Sequence, residues 1–358
     1  MRKFHTLKVR EVHEEAPDAV SVAFELPEAL KETYRYKQGQ HLTLRKEIGG
    51  EDLRRSYSIC ASVKEGDLRI AVRELPEGRF SGWIRHTLAP GDEIAVFPPV
   101  GQFNTELDPA NEKHYVAFAA GAGITPIISI LKTVLETEPK SRFTLFYGNR
   151  TPETTIFRSE LNRLKNRYMD RLSVQHVFSR AETGTEFFHG RLDTAKVAQI
   201  LEHLLPVEAI DEAFLCGPDS MIEEVRETLV AHGLERRRIH TERFTNEGQS
   251  AIRRSHEPRR TQAHAATGKL RIRLDGRVHE IAYEPKMGTV LEAAEAAGLE
   301  VPFSCRGGVC TTCRAKIEQG EAEMEINYGL EDHEIASGFI LTCQAVPTSE
   351  TLALSYDE

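Results

Sequence analysis

Four of the chain's six cysteines stand close together near the C-terminus: Cys305, Cys310 and Cys313 in "PFSCRGGVCTTCRAKIEQG", and Cys343 in "FILTCQA". The spacing C-x4-C-x2-C-x29-C suits one-electron chemistry at a [2Fe–2S] cluster, which takes three thiolates from one loop and the fourth from a distant element. Structural zinc is the competing reading, but it ordinarily draws on two separate C-x2-C pairs, and Cys343 stands alone. Arg306, Gly307 and Gly308 fill the first spacing, where residues without bulk let the backbone wrap a cluster and turn its N–H groups toward the sulfurs. The N-terminal "MRKFHTLKVREVHEE" lacks the apolar core of a signal peptide, and no apolar run nears the roughly 18 residues of a membrane span. A cytoplasmic protein with no membrane partner is therefore expected, and in that compartment clustered thiols bind metal or do redox chemistry rather than pair as disulfides.

Other residue types suited to chemistry come earlier. "RRSYSIC" holds Arg55, Ser56, Tyr57 and Ser58, and "EGRFS" holds Gly78 and Ser81. An arginine on a strand among apolar neighbours calls for an anionic partner, and a diphosphate is a good bidentate match for Arg55. "GAGITP" ends a strand and opens a helix. Its Gly121 and Gly123 allow the backbone close to a pyrophosphate, and the helix N-terminus favours negative charge. The third glycine of the dinucleotide fingerprint is replaced by Pro126, so this stretch alone reads equally well as a helix-entry turn. "FLCGP" places Cys216, Gly217 and Pro218 after another strand, and "TERF" supplies Glu242 and Phe244. Taken singly, Tyr57 and Cys216 read as core side chains, and Cys60 as a structural thiol.

The elements that must carry these residues fall into three patterns, consistent with two or three domains in 358 residues. Up to about Gly101 the chain shows short alternating strands, with Val20, Val22, Phe24 and Leu26 in one and Leu68, Ile70 and Val72 in another. No helix of any length is expected among them, which indicates an antiparallel barrel. From Lys113 strands and helices alternate, which indicates a parallel sheet flanked by helices. After Gly268, "KLRIRLDGRVHEIAYE" is a hairpin turning at Asp275-Gly276, and "TVLEAAEAAGL" has helical spacing that stops near Gly298. The expected organisation is a multidomain chain: a barrel over residues 1–105, an α/β nucleotide-binding unit over 112–245, a flexible linker over 246–267 and an α+β unit over 268–358.

From Gly268 onward the spacing and flanking elements resemble the plant-type ferredoxin family, a β-grasp fold. Over residues 1–245 the succession R-x-Y-S, G-x-x-S, G-x-G-I-T-P and C-G-P resembles the ferredoxin–NADP reductase superfamily. That resemblance implies FAD in the barrel: Arg55 would hold its pyrophosphate, Tyr57 would pack on the isoalloxazine ring and Ser58 would bond near N5, with Ser56 among the cofactor-binding residues. Gly78 and Ser81 would meet its phosphates. It also implies that Gly121, Gly123, Thr125, Gly217 and Pro218 receive a nicotinamide dinucleotide. Cys216 would lie near the carbon that gives up hydride, with Glu242 and Phe244 beside the flavin. Ser58, Cys216 and Glu242 are thus the expected catalytic residues. In such reductases a serine–arginine pair after the strand, here Ser179-Arg180 with Arg150 and Arg158 nearby, selects the 2′-phosphate of NADPH. Solvated arginines and Glu153 leave NADH open.

Charge is uneven. Residues 268–358 hold 16 acidic against 8 basic side chains, in a chain of net charge −9, so nearly all the negative charge sits on the ferredoxin-like unit and could steer it to a basic docking site. Arg253, Arg254, Arg259 and Arg260 lie in a segment without apolar periodicity or interleaved aromatics, which reads as a tether rather than a nucleic-acid site. The order barrel, nucleotide unit, ferredoxin resembles reductase components of bacterial oxygenases. It implies electron transfer from NADPH through FAD and a [2Fe–2S] cluster to a multi-subunit di-iron oxygenase. Reductases of other hydroxylases or lipid desaturases share these motifs, and a redox-sensing interaction protein is the reading from another class.

Overall fold

The computed structural model describes residues 3–181, 184–244 and 264–357. The linker arginines fall outside the described residues. No described helix is long and apolar enough to cross a membrane.

The first unit is a six-stranded antiparallel sheet made of β1 (His5–Ala16), β2 (Ala19–Glu25), β3 (His41–Ile48), β4 (Glu51–Ser58), β5 (Arg69–Arg73) and β6 (Glu93–Val100), in the order β4-β3-β6-β1-β2-β5. Its two edges meet where Ile59, just past β4, bridges Ile70 of β5, so the sheet curls into a barrel and leaves no long free edge. Alternate side chains such as Leu7, Val9, Leu42, Leu44, Ile94 and Val96 fill the interior. One element departs from the sequence expectation: α1 (Arg79–His86) is an eight-residue helix that buries Phe80 and Ile84. Its apolar face is one i, i+3, i+4 set, Phe80, Trp83 and Ile84, with Gly82 among them, too short to register as helical periodicity.

The second unit is a parallel sheet of β7 (His114–Ala120), β8 (Arg142–Asn149), β9 (Leu172–Phe178), β10 (Glu212–Gly217) and β11 (Ile239–Arg243), in the order β11-β10-β7-β8-β9. Helices α2 (Ile124–Thr137), α3 (Arg158–Arg167), α4 (Thr194–His203) and α5 (Asp219–Ala231) make the connections. The strand order reverses between β7 and β10, and such a switch point opens a crevice at the carboxyl ends of the two strands. "GAGITP" and "CGP" occupy those two ends.

The third unit is a mixed sheet in the order β13-β12-β18-β14-β16, built from β12 (Gly268–Leu274), β13 (Arg277–Tyr283), β14 (Arg314–Gln319), β16 (Phe339–Leu341) and β18 (Thr351–Ser355). Its β12 and β18 run parallel, while β15 (Ala322–Met324) pairs with β17 (Ala345–Pro347). The hairpin turns at Asp275 (φ 52°) and Gly276 (φ 73°), the left-handed pair that matches the twist of the flanking strands. Thr289 caps α6 (Val290–Ala296) in a reciprocal box with Glu292, and α7 (Asp332–Ala336) precedes β16.

Polar contacts join the units. Lys132 of α2 pairs with Glu65 at 2.6 Å, Ser129 Oγ donates to Ala61 O at 2.7 Å, and Arg73 donates to Thr154 O, clamping the parallel sheet to the barrel. The third unit lies against the outer face of β3 and β4, described below.

Candidate functional site

The four clustered cysteines form two neighbouring pairs. Cys310 pushes the Cys305 thiol up and Cys313 pushes the Cys343 thiol up, with burial adding to both. Backbone N–H groups point at the sulfurs: Gly307 N to Cys305 Sγ at 3.3 Å, Cys310 N to Cys305 Sγ at 3.4 Å and Cys305 N to Cys310 Sγ at 3.4 Å. Gln344 Nε2 reaches Cys343 Sγ at 3.7 Å. The four thiols, with N–H donors around Cys305 and Cys310 and the Gln344 amide at Cys343, would hold a two-iron cluster, whose sulfur-borne negative charge the N–H groups would stabilise.

The cluster-binding loop is pressed against the barrel strands that carry the R-x-Y-S motif. His41, at the start of β3, bonds through Nε2 to the carbonyl oxygen of Cys310 at 2.8 Å. Thr43 Oγ1 meets Thr312 Oγ1 at 3.0 Å and Ser56 Oγ at 2.9 Å, and Ser56 Oγ donates to Ser304 Oγ at 3.0 Å. Arg54 lays its guanidinium over Phe303, 3.9 Å from the ring centre, and donates to Val301 O. Strand alternation explains the division of labour in "RRSYS". Arg54, Ser56 and Ser58 share the face turned to the third unit, whereas Arg55 and Tyr57 take the opposite face, where Tyr57 packs near Phe80 at 6.2 Å. Ser56, expected among the cofactor-binding residues, spends its hydroxyl in this seam.

Beside the seam sits a buried acid. Ser58 Oγ donates to Glu242 Oε2 at 3.0 Å, and His41 Nδ1 lies 3.9 Å from Glu242 Oε1. Burial pushes the Glu242 carboxyl up to about 8, so at neutral pH it holds its proton. Cys216, fully buried and paired in register with Glu242 across β10 and β11, has its thiol pushed up by burial and by that carboxyl. The structure therefore brings Ser58, Cys216 and Glu242 to one place, at the mouth of the parallel sheet's crevice. Phe244, two residues beyond Glu242, is exposed.

Across the crevice, Gly123 lies so close to β10 that a Cβ there would come within 2.0 Å of Cys216 O. Thr125 Oγ1 is used locally, donating to Ala122 O at 3.0 Å, and a helix N-terminus such as the start of α2 offers backbone N–H groups suited to an anion. Gly78 precedes α1 and Ser81 lies in its first turn, but the Ser81 hydroxyl is committed to Leu75 N and Gly78 O. Ser179 and Arg180 follow β9, and Arg180 N donates to Arg150 O at 2.9 Å, bringing two exposed arginines to adjacent strand ends. Cys60 is buried with its thiol pushed up to about 12, as a structural thiol should be. Sequence reasoning passed over His41, Thr43 and Arg54. Their signal was a polar period-two stripe on strands of otherwise apolar character, which ordinarily marks a solvated face.

Residues 6–105 match the oxidoreductase FAD-binding domain family, residues 118–227 the oxidoreductase NAD-binding domain family and residues 272–348 the 2Fe-2S iron-sulfur cluster binding domain family. The chain is 39% identical over 357 residues to a component of the 1,2-phenylacetyl-CoA epoxidase of Escherichia coli (strain K12), covering 100% of this chain and 99% of that one. It is 34% identical over 360 residues to the ferredoxin reductase component of 3-ketosteroid-9-alpha-monooxygenase from Rhodococcus rhodochrous, covering 98% and 96%. Among solved structures, phthalate dioxygenase reductase shares the fold at TM-score 0.57 and 24% identity, with 98% of both chains covered. The donor-wrapped thiol pairs thus sit in a protein that belongs to the ferredoxin–NADP reductase-like oxygenase reductases with a C-terminal [2Fe–2S] ferredoxin domain, an NAD(P)H-dependent flavin and iron–sulfur oxidoreductase.

Proposed function

We propose that this reductase draws electrons from NADPH and serves a multi-subunit di-iron oxygenase of the phenylacetyl-CoA epoxidase type. The partner rests on full-length likeness to the Escherichia coli epoxidase component. The route rests on one observation, the contact of the Cys310 loop with β3 beside Ser58 and Glu242, because it sets the single-electron carrier against the pocket that receives hydride.

When bound, the flavin accepts two electrons together and releases them singly, and the cluster carries one at a time. The chain's own residues do the rest. Arg55 neutralises the cofactor's diphosphate, and the backbone N–H groups at the start of α1, behind Gly78 and Ser81, add a helix-end field for its phosphates. Tyr57 covers one ring face. Gly121, Gly123, Gly217 and Pro218 keep the crevice shallow enough for the nicotinamide to reach the pocket. Cys216 and Glu242 close its floor, and Glu242 keeps a proton next to the Ser58 hydroxyl. Arg150 and Arg180 supply the positive charge for a 2′-phosphate. Cys305, Cys310, Cys313 and Cys343 hold the cluster.

Mixing the purified chain with NADPH and the other components of a phenylacetyl-CoA oxygenase should give NADPH-dependent epoxidation. Coupling instead to a 3-ketosteroid monooxygenase alone would keep the electron route and replace the partner.

A further inference from the structure

The seam between barrel and cluster loop contains a contact to a ligand residue's own backbone, the bond from His41 to the Cys310 carbonyl. A carbonyl oxygen can only accept, so Nε2 carries the hydrogen and donates. Three features fix the ring. His41 faces Ser58 across β3 and β4 and Val100 across β3 and β6, and the β3–β6 register slips immediately after it, an irregularity of the kind that re-aims a side chain. Gly101 presses on the ring closely enough that a Cβ there would stand 3.0 Å from Nδ1. The side chain is almost wholly buried, so water cannot take the place of either partner.

The ring thus spans two groups on opposite sides: the carbonyl of a cluster ligand and, at 3.9 Å, the Glu242 carboxyl that accepts from Ser58. The neighbouring contacts are hydroxyl to hydroxyl, between Thr43 and Thr312 and between Ser56 and Ser304, and hydroxyl rotors adapt to small shifts. The His41 ring, bonded to the Cys310 carbonyl and packed against Gly101, has no such freedom.

We propose that His41 is the positioning residue for electron passage from the flavin pocket to the cluster, holding the Cys310 loop against β3 so that the two sites keep one fixed separation. This rests on the flavin-site reading above. One electron leaves the reduced flavin and reduces one ferric iron of the cluster, with no bond made to His41 and no proton taken by it.

The test uses the full chain with both cofactors and compares His41→Phe with His41→Gln, whose amide N–H can reach the same carbonyl. Three quantities are read: the rate of flavin reduction by NADPH, the rate of the cluster reduction that follows, and amide hydrogen exchange in residues 304–313. In His41→Phe we expect normal flavin and iron content, unchanged flavin reduction, cluster reduction slowed about threefold to tenfold, as loss of one net hydrogen bond allows, and faster exchange in the loop. In His41→Gln both should return toward the parent values. Unchanged cluster reduction and exchange in His41→Phe would overturn the proposal, and so would equal slowing of flavin and cluster reduction or loss of flavin, either of which would put His41 in the flavin pocket itself. A parent protein whose cluster is reduced before its flavin would instead overturn the flavin-site reading on which the proposal rests.

Discussion

The cluster seam and the nucleotide crevice meet at Glu242, yet they are built from opposite materials. The seam is made of side chains: His41, Thr43, Ser56 and Arg54 reach across to Cys310, Thr312, Ser304 and Val301. The crevice is made of backbone, with glycine at 121, 123 and 217 and the Thr125 hydroxyl turned inward to a local partner. A resident group can be gripped by buried, fully paired polar side chains, which specify one geometry and are costly to disturb. A diffusible dinucleotide must come and go, and bare backbone N–H groups at strand and helix ends give it charge complementarity without a side chain to displace.

The largest expected break falls on the seam side. Cys310→Ser removes one ligand of the Cys305–Cys310 pair and should lower iron from about two per chain toward none, while flavin content and flavin reduction by NADPH persist. Iron analysis beside ferricyanide reduction checks this, and retention of a full cluster would show that Cys310 is not a ligand. On the crevice side, Gly123→Ala sets a methyl against the Cys216 carbonyl. Overpacking of this kind costs roughly 1–3 kcal/mol, and the strand ends can relieve it only by moving apart, so both the melting temperature and hydride uptake should fall. Hydride uptake at the parent rate would mean that the close approach of β7 and β10 is not what seats the nicotinamide.

Arg180→Ala is a finer cut through the same crevice. Loss of a charge-assisted contact to a 2′-phosphate is worth about 1.5–3 kcal/mol, so kcat/KM for NADPH should drop roughly 10- to 150-fold while that for NADH barely changes. Equal losses with both nucleotides would make Arg180 structural.

How much of this was legible in the sequence divides along the same line. The crevice could be read from "GAGITP" and "CGP" because backbone sites advertise themselves through glycine, proline and strand–helix order. The cluster could be read because thiolate spacing is a property of the chain alone, and the hairpin at Asp275-Gly276 because its turn chemistry is local. The seam could not. In "GQHLTL" the residues His41 and Thr43 alternate with Leu42 and Leu44, which reads as one wet and one dry face. Only the arrival of a segment far along the chain, as the His41–Cys310 separation of 269 positions shows, turns the wet face into an interior. Arg54 and Arg55 were likewise indistinguishable as letters, and the pleat alone sends one to Phe303 and the other away from it. Helix α1 was missed because its apolar stripe is one short set of three residues, Phe80, Trp83 and Ile84.

The smallest effect concerns Glu242, where seam and crevice touch. Its carboxyl titrates near 8 in the folded protein against an ordinary value of 4.5. The stability it contributes is therefore complete below pH 4.5 and lost as pH rises through about 8, since the unfolded chain releases this proton first. Urea midpoints should fall over that window more steeply for the parent than for Glu242→Gln, and parallel curves would place the carboxyl in contact with water.

Rapid mixing of the intact protein with NADPH, followed at flavin and cluster wavelengths and then challenged with the oxygenase, tests the electron route most directly. Flavin absorbance should fall first and cluster absorbance second, and on adding the partner the cluster should be reoxidised before the flavin. Oxygenase turnover while the cluster stays oxidised throughout would contradict passage through Cys305, Cys310, Cys313 and Cys343.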